Sequence, residues 1–209
     1  AFRDVQLDVR FTAADGRERT VPAFWAGSSR WKVRFSSPCT DDFSYITHCS
    51  DASNEGLHNR TGTIRVRPYE GDNPLYAHGP VHVSSRGRYL EHADGTPFLW
   101  LADSWWHGMT RRFRWPDDFK QLTRDRREKG FSVIQFAIGF PCDIHEFDER
   151  GANEAGFPMT RGYESINPAY FDLVDQRVGH LVEEGMVPNI LGTWGYYVPW
   201  MGVDTMKQY

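Results

Sequence analysis

Asp103, Trp105, Trp106 and His107 stand together where the apolar run 98–102 gives way to a polar stretch. Their types suit a sugar. An ionised carboxylate accepts charge-assisted hydrogen bonds from two hydroxyls, and an indole face stacks on a pyranose ring. An imidazole donates to a hydroxyl or orients a carboxylate. Gln135 interrupts the apolar run "FSVIQFAIG", and a buried amide in such a run must find a partner. Trp194, Tyr196 and Tyr197 follow a third apolar run, "MVPNIL". These eight residues are the candidate substrate-binding set. Each has a structural alternative. Asp103 could cap its loop or pair with Arg111 or Arg112, His107 could hold loop backbone, and the aromatics could pack.

The loop residues Asp143, His145, Glu146 and Asp148 superficially suggest metal ligands, but their spacing matches no standard site. A solvated acidic loop fits better, and no metal or cofactor is predicted. His78, His82 and His92 receive no ligand role.

The chain has 209 residues, a net charge of −4 and a mean hydropathy of −0.59. A pI near 6.1 argues against a nucleic-acid partner. No apolar run reaches the roughly 20 residues needed to cross a bilayer. Aromatic residues reach 15%, enough to serve a core, a sugar-stacking surface, or both. Cys39 and Cys49 are close enough in sequence for a local bridge, with free thiols the equal alternative, and Cys142 stays single either way. The chain opens "AFRDVQ" without Met or a visible leader. A secreted or periplasmic location is favoured over a cytoplasmic one.

The elements that must position the candidate residues divide into two patterns. Up to residue 83, apolar residues alternate with period two, as in "VQLDVRF", and Asp15-Gly16 marks a hairpin turn. Short strands at regular spacing indicate an antiparallel, immunoglobulin-like β-sandwich over 1–83. The segment 84–96, with Asp94-Gly95 at its turn, predicts a bridging hairpin. From residue 97 onward the order is β-α-β-α-β. Pro116 and Gly130 bracket the first helix, and Asn167, Pro168 and Gly185 bracket the second. Phe171, Val174, Val178, Leu181 and Val182 form the second helix's expected buried face.

Parallel strands with intervening helices fit either a dinucleotide-binding sheet or a barrel. The first turn, "DSWWHGMTRRFRW", has one glycine and lacks the phosphate-binding signature, which leaves the first three units of a (β/α)8 barrel. In barrels the C-terminal strand ends carry the site, and the candidate residues stand at those ends. A closed barrel needs about 250 residues, so the chain is expected to stop at Tyr209 before closure.

The stretch "FRDVQLDVRFTAADGRERTVPAFWAGSSRWKVRFSSP" resembles the small β-sandwich that precedes the catalytic barrel of bacterial apiosidase-like glycoside hydrolases. "GTPFLWLADSWWHG", "KGFSVIQF", "INPAYFDLVDQRV" and "EEGMVPNILGTWG" are similar to the opening strands and helices of that barrel. The resemblance implies hydrolysis of plant or microbial glycans by two carboxylates, spaced about 5 Å apart in retaining enzymes. It places that pair on the fourth and seventh strands, beyond Tyr209. The alternative is a non-catalytic carbohydrate-binding or assembly module. A carbohydrate is the expected partner. A chain complete at Tyr209 would also call for a partner chain or self-association.

Overall fold

The computed structural model describes residues 4–192 and 195–208, with the backbone alone at 196, 198, 207 and 208. Two compact units emerge, Ala1–Glu70 and Gly71–Tyr209.

The first unit is built on a four-stranded antiparallel sheet. Its strands are β1 (Leu7–Ala13), β2 (Glu18–Pro22), β5 (Asp42–Cys49) and β6 (Thr61–Arg65), in the order β2-β1-β5-β6. The two-residue strands β3 (Phe24–Trp25) and β4 (Trp31–Lys32) pair separately. The alternation read from β1 buries Leu7, Val9, Phe11 and Ala13 on one face. Asp15 closes the β1–β2 turn by accepting from the Arg17 backbone N–H at 3.0 Å. Phe35 stacks on Phe11 at 4.0 Å and meets Phe43 edge-on, so ring packing closes this core. Pro22 is the last residue of β2, and the Ala23 N–H still reaches the Leu7 carbonyl at 2.7 Å. Cys39, Cys49 and Cys142 are all free thiols.

The second unit opens with the short helix α1 (Pro74–Ala77) and an antiparallel meander, β7 (Val81–Val83), β8 (Leu90–His92) and β9 (Pro97–Phe98). Residues 71–83, read from sequence as the end of the sandwich, thus group with the second unit. Asn73 Nδ2 donates to the Val182 carbonyl at 2.6 Å and β7 pairs with β8, which tie them there.

Three parallel strands follow in the order β10-β11-β12: β10 (Ala102–Ser104), β11 (Val133–Ala137) and β12 (Val187–Leu191). Helices α2 (Asp117–Glu128) and α3 (Pro168–Glu183) connect them. Kinked helix α4 (Val198–Gln208) comes last. This confirms the antiparallel-sheet region followed by an α/β region.

The run 98–102 is not one buried strand. Phe98 pairs with Leu90 in the meander, and the parallel strand starts only at Ala102. Between them the chain passes from one sheet to another, leaving Leu99, Trp100 and Leu101 exposed at 74%, 48% and 39%.

Both connecting helices end in the same way. Gly130 and Gly185 take positive φ, and the next residue's N–H reaches back to the carbonyl of Arg126 or Leu181. This left-handed exit satisfies the last carbonyls and feeds each chain into the next strand. Helix α3 buries Tyr170, Val174, Arg177 and Leu181. Of the expected face, Val174 and Leu181 are buried, while Tyr170 and Arg177 were not anticipated. The core between sheet and helices includes Trp105, Phe119, Ile134, Phe136 and Tyr170. A second cluster, including Phe140, Phe147, Met159, Tyr197 and Met201, organises the long loop 138–167.

Candidate functional site

Alternation along three short strands decides which polar groups meet. Asp103 pairs in register with Ile134 and Pro188, whereas Ser104 pairs with Gln135 and Asn189. The two rows point to opposite faces, because the strand period is two. Ile134 belongs to the helix-side core. The Ser104–Gln135–Asn189 row therefore lies on the face turned away from α2 and α3.

That row is hydrogen-bonded across the sheet. Asn189 Nδ2 donates to Gln135 Oε1 at 2.9 Å, and Gln135 Nε2 reaches Ser104 Oγ at 3.4 Å. Ser104 is exposed, while Gln135 and Asn189 are half-buried. A hydroxyl and two amides offer both donors and acceptors to a ligand that does the same. Neither Ser104 nor Asn189 was singled out from sequence. Asn189 carried the same signal as Gln135, a lone amide in an apolar run.

Asp103 lies on the helix side. Its carboxylate accepts from Arg126 Nε at 2.6 Å and from the indole Nε1 of Trp105 at 2.9 Å. Its partner is thus neither Arg111 nor Arg112. Burial raises the Asp103 pKa, but the Arg126 and Trp105 hydrogen bonds lower it further, leaving it below the usual carboxylate range. The depressed folded value contributes stability above about pH 4 that fades as pH falls through the folded pKa. Asp103→Ala should lower the unfolding free energy by about 2 kcal/mol, because it removes the acceptor of Arg126 Nε and leaves a buried indole N–H unpaired, while Arg126 Nη1 keeps its bond to Asp125. Urea denaturation at pH 7 and pH 3 would check this, with the difference from the parent shrinking at the lower pH.

The loops at the C-terminal strand ends add a second pair. His107 is buried, and its Nε2 lies 2.9 Å from Asp143 Oδ1. Asp143 is 56% exposed. Burial raises its pKa and the His107 hydrogen bond lowers it more, so it is anionic at neutral pH. Asp143 is therefore an exposed acceptor oriented by a buried ring. The acidic-loop reading missed it because its partner is 36 residues away.

The aromatics divide by packing. Trp105 is buried against Phe113 and Phe119. Trp106 is half-buried at the head of the loop. Tyr197 is buried beside Phe140 and Trp200, with no partner for its hydroxyl among the described residues and its pKa pushed up by burial. Trp194 and the Tyr196 side chain lie outside the described residues. Among the described residues, no three His, Cys, Asp or Glu side chains come together to hold a metal ion.

The apiosidase-like catalytic-domain family model matches residues 84–209, more than half of the chain and all of the parallel sheet. The chain belongs to the apiosidase-like family. A domain of unknown function, DUF5060, matches residues 2–50 of this apiosidase-like chain. No curated protein matches it. A crystal structure described as a "putative glycoside hydrolase" from Bacteroides vulgatus is similar over 96% of the chain, with TM-score 0.69 and 18% identity. A second structure, named glycoside hydrolase, is similar over 65% of the chain, with TM-score 0.50 and 25% identity. The apiosidase-like chain spans 39% of the first of these proteins and 30% of the second.

Proposed function

We propose that this chain is the N-terminal part of a glycoside hydrolase acting on plant or microbial glycans. Residues 97–209 then form the first three units of a (β/α)8 barrel, with the Ser104–Gln135–Asn189 face turned inward. The observation that carries this reading is the polar row itself. Three parallel strands present hydrogen-bonding side chains in one register, on the face opposite their helices. Inward faces and C-terminal strand ends are where barrel enzymes hold substrate.

In this reading Ser104, Gln135 and Asn189 bind hydroxyls near the floor of the site. Asp143 accepts from hydroxyls at its rim, and His107 is a positioning residue that fixes Asp143. Asp103 and Trp105 hold the first strand against α2. Trp106, Trp194 and Tyr196 remain the proposed aromatic surround, whereas Tyr197, buried beside Phe140 and Trp200, packs the loop core instead of facing a ligand. The reaction takes two carboxylates, a general acid/base and either a nucleophile or a second base. They are proposed to follow Tyr209, on the fourth and seventh strands.

The test uses the full-length protein containing this chain and a panel of aryl glycosides and plant-wall oligosaccharides. Release of reducing sugar is expected. Asp143→Asn should keep the hydrogen bond to His107 but remove the charge, raising KM about tenfold, equivalent to about 1.4 kcal/mol. Failure to cleave any glycoside, or an Asp143→Asn enzyme with unchanged KM, would overturn the corresponding part of the proposal.

A further inference from the structure

The Ala1–Glu70 unit contains a cavity of about 560 Å³ on the apolar face of its sheet. Val9, Tyr45 and Thr47 contribute to its lining from β1 and β5, and Trp31 contributes from β4. Its volume falls within the range of about 300–1,000 Å³ used by small-ligand sites. The charge of the lining is one-sided. Arg30, Lys32 and Arg60 border the cavity, and no Asp or Glu does. This contrasts with a chain whose net charge is −4. Arg30 and Arg60 are exposed, and neither makes an ion pair or a side-chain hydrogen bond among the described residues.

Two local features build the wall. Thr47 Oγ1 donates to the Leu57 carbonyl at 2.5 Å and accepts from the Arg60 N–H at 2.9 Å, fixing the loop that carries Arg60. The Tyr45 ring lies over Gly62, where an added Cβ would come within 2.7 Å of three ring and hydroxyl atoms. Gly62 therefore leaves the space that Tyr45 occupies.

We propose that this cavity binds an oligosaccharide bearing carboxylates, and that the N-terminal unit holds an acidic glycan at a site separate from the polar row on the parallel sheet. Trp31 and Tyr45 provide apolar ring surface for the sugar face, and Arg30 and Arg60 provide forked donors for its carboxylates. The choice of a sugar rests on the proposed glycosidase function. The choice of an acidic one rests on the lining.

The experiment is isothermal titration of the full-length protein containing this chain with the trisaccharides of mannuronic and galacturonic acid and with their carboxyl-reduced forms. At least one acidic trisaccharide should bind, at least about tenfold tighter than its neutral counterpart. Raising ionic strength from about 0.05 to about 0.5 M should weaken that binding. Arg30→Gln combined with Arg60→Gln should reduce affinity at least about tenfold, with no change in melting temperature because both side chains are exposed. Gly62→Ala, which displaces Tyr45 without touching a charge, should also weaken it. Gln135→Leu and Asp143→Asn should leave this binding unchanged.

Equal affinity for acidic and reduced sugars, or no binding of either acid, would overturn the proposal. So would unchanged affinity in the double arginine variant, or loss of binding in Gln135→Leu. The last result would move the acidic sugar to the parallel-sheet site, leaving the glycosidase reading intact. Conversely, acidic-sugar binding that depends on Arg30 and Arg60 would stand even if no glycoside were cleaved.

Discussion

Glu154→Ala should destabilise the protein more than Arg177→Met, although the two residues form one ion pair. Arg177 Nη2 donates to both Glu154 carboxylate oxygens at 2.9 Å. The pair is asymmetric in burial. The Arg177 side chain is fully buried, while the Glu154 side chain is 37% exposed. Removing the carboxylate leaves a buried guanidinium beside the rings of Trp115 and Phe119, with the Phe113 carbonyl at 3.4 Å as its remaining acceptor among the described residues. Breaking a buried pair in this way costs about 3–5 kcal/mol. Removing the arginine leaves Glu154 free to rehydrate, and methionine refills much of the volume. That loss should be nearer 1–2 kcal/mol, as for other volume-conserving core changes. Nε and Nη1 of Arg177 have no partner among the described residues, which further reduces what Arg177→Met gives up.

The pH dependence follows from the same geometry. Burial raises the Glu154 pKa, but the bonds from Arg177 and from the Trp115 N–H lower it further, so the folded value is depressed. Its contribution to stability is present above about pH 4.3 and is lost as pH falls through the folded value. Glu154→Ala should therefore flatten the acid limb of the stability profile. Chemical denaturation of both variants between pH 3 and pH 7 reads the order and the slope. Arg177→Met proving the more damaging would mean that arginine packing, rather than charge compensation, dominates this site.

Arg177 also shows where sequence reading runs out. Local rules were sufficient for turns and helix ends. Asp15-Gly16 and Asp94-Gly95 turn as expected, and Asn167, Pro168, Gly130 and Gly185 bracket their helices. These features depend on neighbours a few residues away. The helical wheel of α3 gave Val174 and Leu181, but it placed arginine on the wet side by type. The burial of Arg177 is made tolerable by groups far along the chain, the Glu154 carboxylate 23 residues earlier and the Phe113 carbonyl 64 residues earlier.

The same distance problem governs the site. A three-residue strand has too few positions to show which face is which, so Asp103 was read as facing a ligand when Arg126 holds it on the helix side. Its neighbour Ser104 lies on the other face. The run 98–101 looked like buried strand because hydrophobicity alone does not reveal where a chain changes sheets. Gln135 was legible as an amide in an apolar strand. Asn189 shows the same pattern, but it becomes meaningful only once the register of β11 and β12 aligns the two amides.

That alignment makes Gln135→Leu the most informative substitution in the proposed barrel. Gln135 is the central residue of the row, with Ser104 on one side and Asn189 on the other. Leucine preserves volume and removes the acceptor for Asn189 and the donor toward Ser104. The folding penalty should be about 1 kcal/mol, since both neighbours retain access to water. The catalytic penalty should be larger. A site built to hydrogen-bond hydroxyls leaves them unpaired when an amide is lost, and misplacement of the sugar also affects its reacting bond. In the full-length protein, kcat/KM should fall about 100-fold, or about 2.7 kcal/mol of transition-state stabilisation. A fall in kcat as well as a rise in KM would mark Gln135 as positioning the sugar for reaction. A rise in KM alone would mark uniform binding. Unchanged kcat/KM together with a lower melting temperature would assign the row to holding the sheet, and the sugar site would have to be sought in the loops around Asp143 instead.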